Sequence, residues 1–125
     1  MIHLDTHVVL WLADGQADRF PPAAVRAIDA HDLVISPMVL LELDYLREVG
    51  RTRLPARDIF AAVTARTGLR LSTASFSAVV EAASSLGWTR DPFDRLIAAQ
   101  AIADGCGLLT RDVSIRGHMP GAVWD

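Results

Sequence analysis

Four carboxylates in this chain sit where a small α/β protein could use them together: Asp5, Glu42, Asp94 and Asp112. Asp5 closes a short apolar run, Ile2–Asp5. Asp112 lies two residues beyond another, Leu108–Thr110. Asp94 falls in the first turn of a helix opened by Asp91-Pro92. Glu42 lies within the apolar stretch Met38-Val39-Leu40-Leu41-Glu42-Leu43. Each has an ordinary explanation when taken singly. Asp5 and Asp91 can cap helices, Asp94 can answer a helix dipole, and Asp112 can shape a turn. Glu42 is harder to place that way: an acid among leucines faces a packed side or a cleft, and must protonate or meet a cation. All twelve basic residues are arginines, so the cation is an arginine or a metal. Acids converging on one edge repel each other unless a divalent ion neutralises them, and oxygen-only ligands suit Mg²⁺ or Mn²⁺ rather than zinc. Such an ion lowers the pKa of a bound water and stabilises charge on a phosphoryl group, which points to phosphodiester hydrolysis.

The elements that would position these acids alternate. Strands are expected at Ile2–Asp5, Leu33–Ile35, Leu69–Leu71 and Leu108–Thr110, with a fifth at the edge over Ala122–Trp124. Helices are expected at Thr6–Ala13, Pro22–Ala30, from Ser36-Pro37 to about Val49, at Pro55–Arg66, at Ser75–Leu86, and from Asp91-Pro92 to Gly105. Pro at a first helical position forfeits no hydrogen bond, and Ser36 and Asp91 are good cap residues. Alternation of this kind predicts an α/β fold: a short, mostly parallel sheet of about four to five strands flanked by helices, with ligands at the strand carboxyl ends.

Composition bounds the reading. The 125 residues make one domain, 1–125, with ordinary apolar content. A single cysteine, Cys106, forbids an intrachain disulfide, and no Cys/His cluster offers a zinc site. No apolar run is long enough to span a membrane and no leader pattern is present, so a cytoplasmic protein is expected. The net charge of −3 is unusual for a nucleic-acid binder, so any positive surface must be local.

With those residues in view, Asp5-Thr6-His7-Val8-Val9-Leu10-Trp11-Leu12 resembles the opening segment of the VapC toxins, PIN-domain proteins of bacterial toxin–antitoxin pairs. Ser36-Pro37 through Glu42-Leu43 is similar to their second block. Asp91-Pro92-Phe93-Asp94-Arg95-Leu96-Ile97-Ala98-Ala99-Gln100-Ala101 closely matches the third, and Leu108-Leu109-Thr110-Arg111-Asp112 the fourth. The resemblance implies a PIN-like domain and a Mg²⁺- or Mn²⁺-dependent endoribonuclease. It also implies a homodimer, silenced by a cognate VapB-like antitoxin. By position it makes Asp5 and Asp94 the main metal ligands, with Glu42 and Asp112 completing the catalytic acids. Thr6 and Thr110 become candidates for orienting a ligand or water.

Arg111 and Arg116 are candidates for holding RNA phosphates, or for pairing with the acids. Arg95 is expected in a salt bridge. His7 stands where many relatives have Asn, and is expected to cap a helix. Asp91 is expected to be structural, and His31 and His118 to lie in surface loops. The tryptophans Trp11, Trp88 and Trp124 could stack bases but fit core or interface positions better.

Receiver domains and haloacid-dehalogenase-type phosphatases also set acids at strand ends, but typically need a lysine that this chain lacks. No GxxxxGK[ST] is present, which excludes a P-loop enzyme. A PIN-like binding module without catalysis remains as the alternative. The acids alone do not separate RNA from DNA.

Overall fold

A computed structural model describes all residues, Met1–Asp125. Five strands form one parallel sheet: β1 (Ile2–Leu4), β2 (Leu33–Ile35), β3 (Arg70–Leu71), β4 (Gly107–Leu109) and β5 (Ala122–Val123). The order is β3-β2-β1-β4-β5. Seven helices connect them: α1 (Thr6–Ala13), α2 (Pro22–Ala30), α3 (Pro37–Glu48), α4 (Ala56–Thr67), α5 (Phe76–Ser84), α6 (Pro92–Ala103) and α7 (Val113–His118), with a 3₁₀ turn at Ala17–Arg19. Successive strand residues face opposite sides of a sheet. Every residue of β1 and β2 is buried, so both faces of the sheet centre are covered.

Local chemistry sets the helix starts. Ser36 Oγ accepts from the Met38 N–H at 3.0 Å, Asp91 Oδ1 from the Phe93 and Asp94 N–H groups, and Pro stands in the first turn of α2, α3 and α6. At Gly107 a Cβ would lie 2.8 Å from the Gly121 carbonyl oxygen, so only glycine lets β5 approach β4 this closely.

The expected architecture is borne out, with local corrections. The strands β1 and β4 stop at Leu4 and Leu109, one residue early, leaving Asp5 and Thr110 beyond the sheet. Helix α5 stops at Ser84 rather than Leu86. The carbonyls of Ala83 and Ser84 are taken by the Arg95 guanidinium, whose Nε donates to Ala83 at 2.9 Å. Arg95 is thus a cap on α5, not a salt-bridge partner. His118 lies in α7, stacked on Trp88 with ring centroids 5.1 Å apart, rather than in a loop.

Twenty-three buried residues form one continuous core, from Ile2 and Leu4 through Val39, Leu43 and Ile97 to Trp124. A polar seam runs inside the fold. The Ser36 hydroxyl donates to Gln100 Oε1 at 2.8 Å, and the Gln100 amide donates to Ser72 Oγ at 3.0 Å. Ser72 donates in turn to Asp104 Oδ2, which also holds His3 Nε2, both at 2.6 Å. His3 is fully buried and its Nδ1 has no partner. Burial pushes the His3 pKa down against the pull of Asp104, because a proton on Nδ1 would face no acceptor.

Candidate metal and phosphodiester site

Parallel pairing of β1 with β4, Leu4 opposite Leu109, places the residues after both strands side by side, and the Asp5 N–H donates to the Leu109 carbonyl at 3.0 Å. Asp5 is buried and caps α1: its Oδ1 accepts from the Thr6 N–H at 2.8 Å. Its Oδ2 accepts from the Thr110 hydroxyl at 2.7 Å. That same hydroxyl accepts from the Asp112 N–H at 3.0 Å, so one fully buried threonine joins Asp5 to Asp112. Asp112 caps α7 through the Ile115 N–H at 2.9 Å.

Glu42 comes from α3, the helix that Ser36 starts. It meets neither an arginine nor solvent alone: the Thr6 hydroxyl donates to its Oε1. Burial, opposed by that hydrogen bond and assisted by Asp5 and Asp91, pushes its pKa above the usual carboxylate range. Asp94 comes from the first turn of α6, with its backbone N–H held by Asp91 Oδ1 at 3.3 Å. Its carboxyl is half-buried. Desolvation first, then the charges of Asp5, Asp91, Asp112 and Glu42, push its pKa up to about 7. Nothing offsets those five effects. The two arginine–carboxylate pairs in the molecule are Arg57 with Asp58 and Arg116 with Asp125, both away from Asp94.

The acids share one electrostatic field without forming a closed cage, and no three His, Cys, Asp or Glu side chains enclose a ready-made metal position. Zinc prefers a complete shell with nitrogen or sulfur ligands. A hard cation that keeps several of its waters and binds through one or two carboxylates fits an open, all-oxygen set of this kind.

Arg116 is held by the C-terminal Asp125, which removes it from the free cations. Arg111 has no acidic partner and its guanidinium lies over the Trp11 ring, 5.8 Å from the centroid. Asp91 is the helix cap expected of it, and it also adds to the field at Asp94. His7 caps no helix. Its Nε2 accepts from the Arg111 N–H at 2.9 Å, which leaves the proton of the neutral ring on Nδ1, 3.6 Å from Asp5 Oδ2. Burial lowers the His7 pKa against the pull of Asp5 and Asp112. This contact spans over a hundred residues of sequence, and only the position of His7 next to Asp5 and Thr6 signals it. Trp11 and Trp124 form an aromatic cluster with Phe20, in line with a packing role.

Comparison with known proteins gives the same picture. The PIN domain model matches residues 2–117. Ribonuclease VapC22 of Mycobacterium tuberculosis is 33% identical over 127 residues, covering 97% of this chain and 96% of that protein. Among solved structures, VapBC2 from Rickettsia felis bound to a DNA fragment from its promoter aligns with a TM-score of 0.69 at 21% identity, covering 100% of both chains. VapBC-1 from nontypeable Haemophilus influenzae aligns at 0.65 and 14%, covering 100% of this chain and 97% of the other. The strand order, the acids at the strand ends and these likenesses lead to one assignment: the chain belongs to the PIN-domain family, among its VapC members.

Proposed function

We propose that this protein is a divalent-metal-dependent endoribonuclease and the toxin of a VapBC-type pair. Asp94 carries the reading: its carboxyl stands among four other acids, raised to about 7, with no arginine to relieve it. A fold accepts that arrangement when a cation completes it. Asp5 and Asp94 would hold a Mg²⁺ or Mn²⁺ ion, with Glu42 and Asp112 as supporting acids. When bound, the ion lowers the pKa of an attacking water and neutralises charge on the phosphoryl group. Thr110 fixes the Asp5 carboxylate and Thr6 the Glu42 carboxylate, so both acids are oriented before any ligand arrives. Arg111 offers a positive charge to the RNA backbone. In the hydrolysis itself a water oxygen bonds to phosphorus, the phosphorus–oxygen bond to one sugar breaks, and that sugar oxygen leaves with a proton.

RNA is the substrate by kinship with Ribonuclease VapC22. A VapB-like antitoxin partner follows from the VapBC neighbours. A homodimer and a cytoplasmic location come with the family; exposed Leu41, Tyr45 and Phe76 leave apolar surface for such contacts. No helix is long and apolar enough to cross a membrane.

The test is cleavage of a mixed RNA pool by antitoxin-free protein with Mg²⁺, Mn²⁺ or EDTA. Metal-dependent cutting that falls at least about a hundredfold in Asp94→Asn is expected. Full activity in that variant overturns the site. Absence of cutting by the unsubstituted chain, together with no Mn²⁺ binding by calorimetry, makes it a binding module.

A further inference from the structure

Helices α3 and α6 pack side by side, and the pairs they make run in opposite directions along the two. Ser36, the cap of α3, donates to Gln100 Oε1 at 2.8 Å. Leu41 and Leu96 line one groove together with that pair. Further along, Tyr45 meets Phe93, with ring centroids 5.5 Å apart. Each step forward on α3 is thus matched by a step back on α6, so the helices are antiparallel. Glu42 lies six residues after Ser36, and Asp94 six residues before Gln100. At the ordinary helical rise both acids stand roughly 9 Å from the Ser36–Gln100 bond, displaced in the same direction. That register brings Glu42 into the electrostatic field that acts on Asp94.

Apolar contact does not fix a register by itself, because the hydrophobic effect is non-directional. A buried hydrogen bond does, since a slip leaves both of its partners unpaired; a single buried polar residue sets the register of a coiled coil in this way. Ser36 is 1% exposed and Gln100 5%, so bulk water offers neither a substitute. The bond is also fixed in sense. Ser72 gives its hydroxyl proton to Asp104, so it can only accept from Gln100 Nε2, and this turns Oε1 toward Ser36. Ser36 gives its own proton to Gln100 and keeps a lone pair for the Met38 N–H that starts α3. We propose that Gln100 is a positioning residue for the acidic site: its bond to Ser36 sets the register of α3 against α6 and so holds Glu42 opposite Asp94. The consequence for a metal rests on the function proposed above; the register rests on the contacts between the two helices alone.

Tyr45 is the only tyrosine of the chain, so the nuclear Overhauser effect from its ring to Phe93 reports the register in metal-free protein. The variants are Gln100→Leu and Ser72→Ala. Ser72→Ala breaks the seam on the other side of Gln100 and leaves the Ser36 bond, so it measures destabilisation alone. Gln100→Leu is expected to lose most of the Tyr45–Phe93 effect and to bind Mn²⁺ about tenfold more weakly by calorimetry. Ser72→Ala should keep both close to the parent's. In RNA cleavage the Gln100→Leu loss should fall on kcat with KM little changed, because a buried amide touches no substrate. A Gln100→Leu protein that keeps the Overhauser effect overturns the register. One that loses it yet binds Mn²⁺ like its parent overturns the link to the site, as do a loss confined to KM and equal losses in Ser72→Ala. Should Gln100→Leu not fold, Gln100→Asn, one methylene too short to reach Ser36, is held to the same outcomes. A parent that neither binds Mn²⁺ nor cuts RNA removes the proposed function, and the Overhauser effect then decides by itself whether Gln100 sets the register.

Discussion

At the scale of single residues the molecule is governed by charges that have no partners. Asp94 is the clearest case, and its raised pKa has a thermodynamic sign. A carboxyl titrating near 4 when unfolded and at about 7 when folded gives a native state that binds more protons than the unfolded chain between those values. Stability from this group is therefore complete below about pH 4 and is lost as pH rises to about 7. Metal-free protein should lose thermal stability over that window, and Asp94→Asn should flatten the dependence while raising Tm at pH 7.5. Saturating Mn²⁺ should restore Tm at pH 7.5 in the unsubstituted protein far more than in the variant, because proton and metal compete for one carboxylate. A metal-free Tm that rises from pH 5 to 7.5 through this group would contradict the assignment. In the sequence Asp5, Asp94 and Asp112 drew notice from their places after strands and at a helix start, and Glu42 from the apolar stretch around it. Their hydrogen bonds were not: Thr110 to Asp5 and Thr6 to Glu42 join residues 105 and 36 positions apart, and need the strand order that periodicity does not supply.

At the scale of elements, the acids are only as well placed as the strands and helices that carry them. Asp5 follows β1, Glu42 rides on α3 and Asp94 on α6; the polar seam touches all three through His3, Ser36 and Gln100. Gln100 is its centre, accepting from one buried hydroxyl and donating to another. Gln100→Leu fills nearly the same space and leaves Ser36 and Ser72 without those partners, so urea unfolding should show a loss of about 1–3 kcal/mol. A variant as stable as the parent would mean that water replaces the amide. The helix starts at Ser36-Pro37 and Asp91-Pro92 were legible because cap and proline act locally. Helix α7 was missed: at six residues it has almost no periodicity, and Asp112, its cap, reads equally well as a turn residue. The shortened α5 was illegible for a different reason, since its end is set by Arg95 from another helix.

For the whole molecule, the proposed metal would be an addition to a packed fold. The core is continuous across the sheet, and the acids lie at its rim. Adding EDTA should abolish RNA cleavage while leaving the helical circular dichroism unchanged; loss of that signal on chelation would indicate a structural ion instead. In a chain of net charge −3, Arg19 and Arg111 form a local pair of cations, both within cation–π distance of Trp11.

The position of β4 carries a further consequence. One of its two neighbours in the sheet is β1, with Ile2 opposite Gly107, so a strand from early in the sequence is completed by one from late in it. On a ribosome the emerging chain carries Asp5 and Glu42 long before, and Asp94 shortly before, the strand that brings Thr110 and Asp112 to them. Until that strand docks, Asp5 lacks the hydroxyl that orients it and the acidic edge is unfinished. On the proposed reading, catalytic competence would therefore wait for the docking of β4 and not merely for synthesis of the acids that precede it.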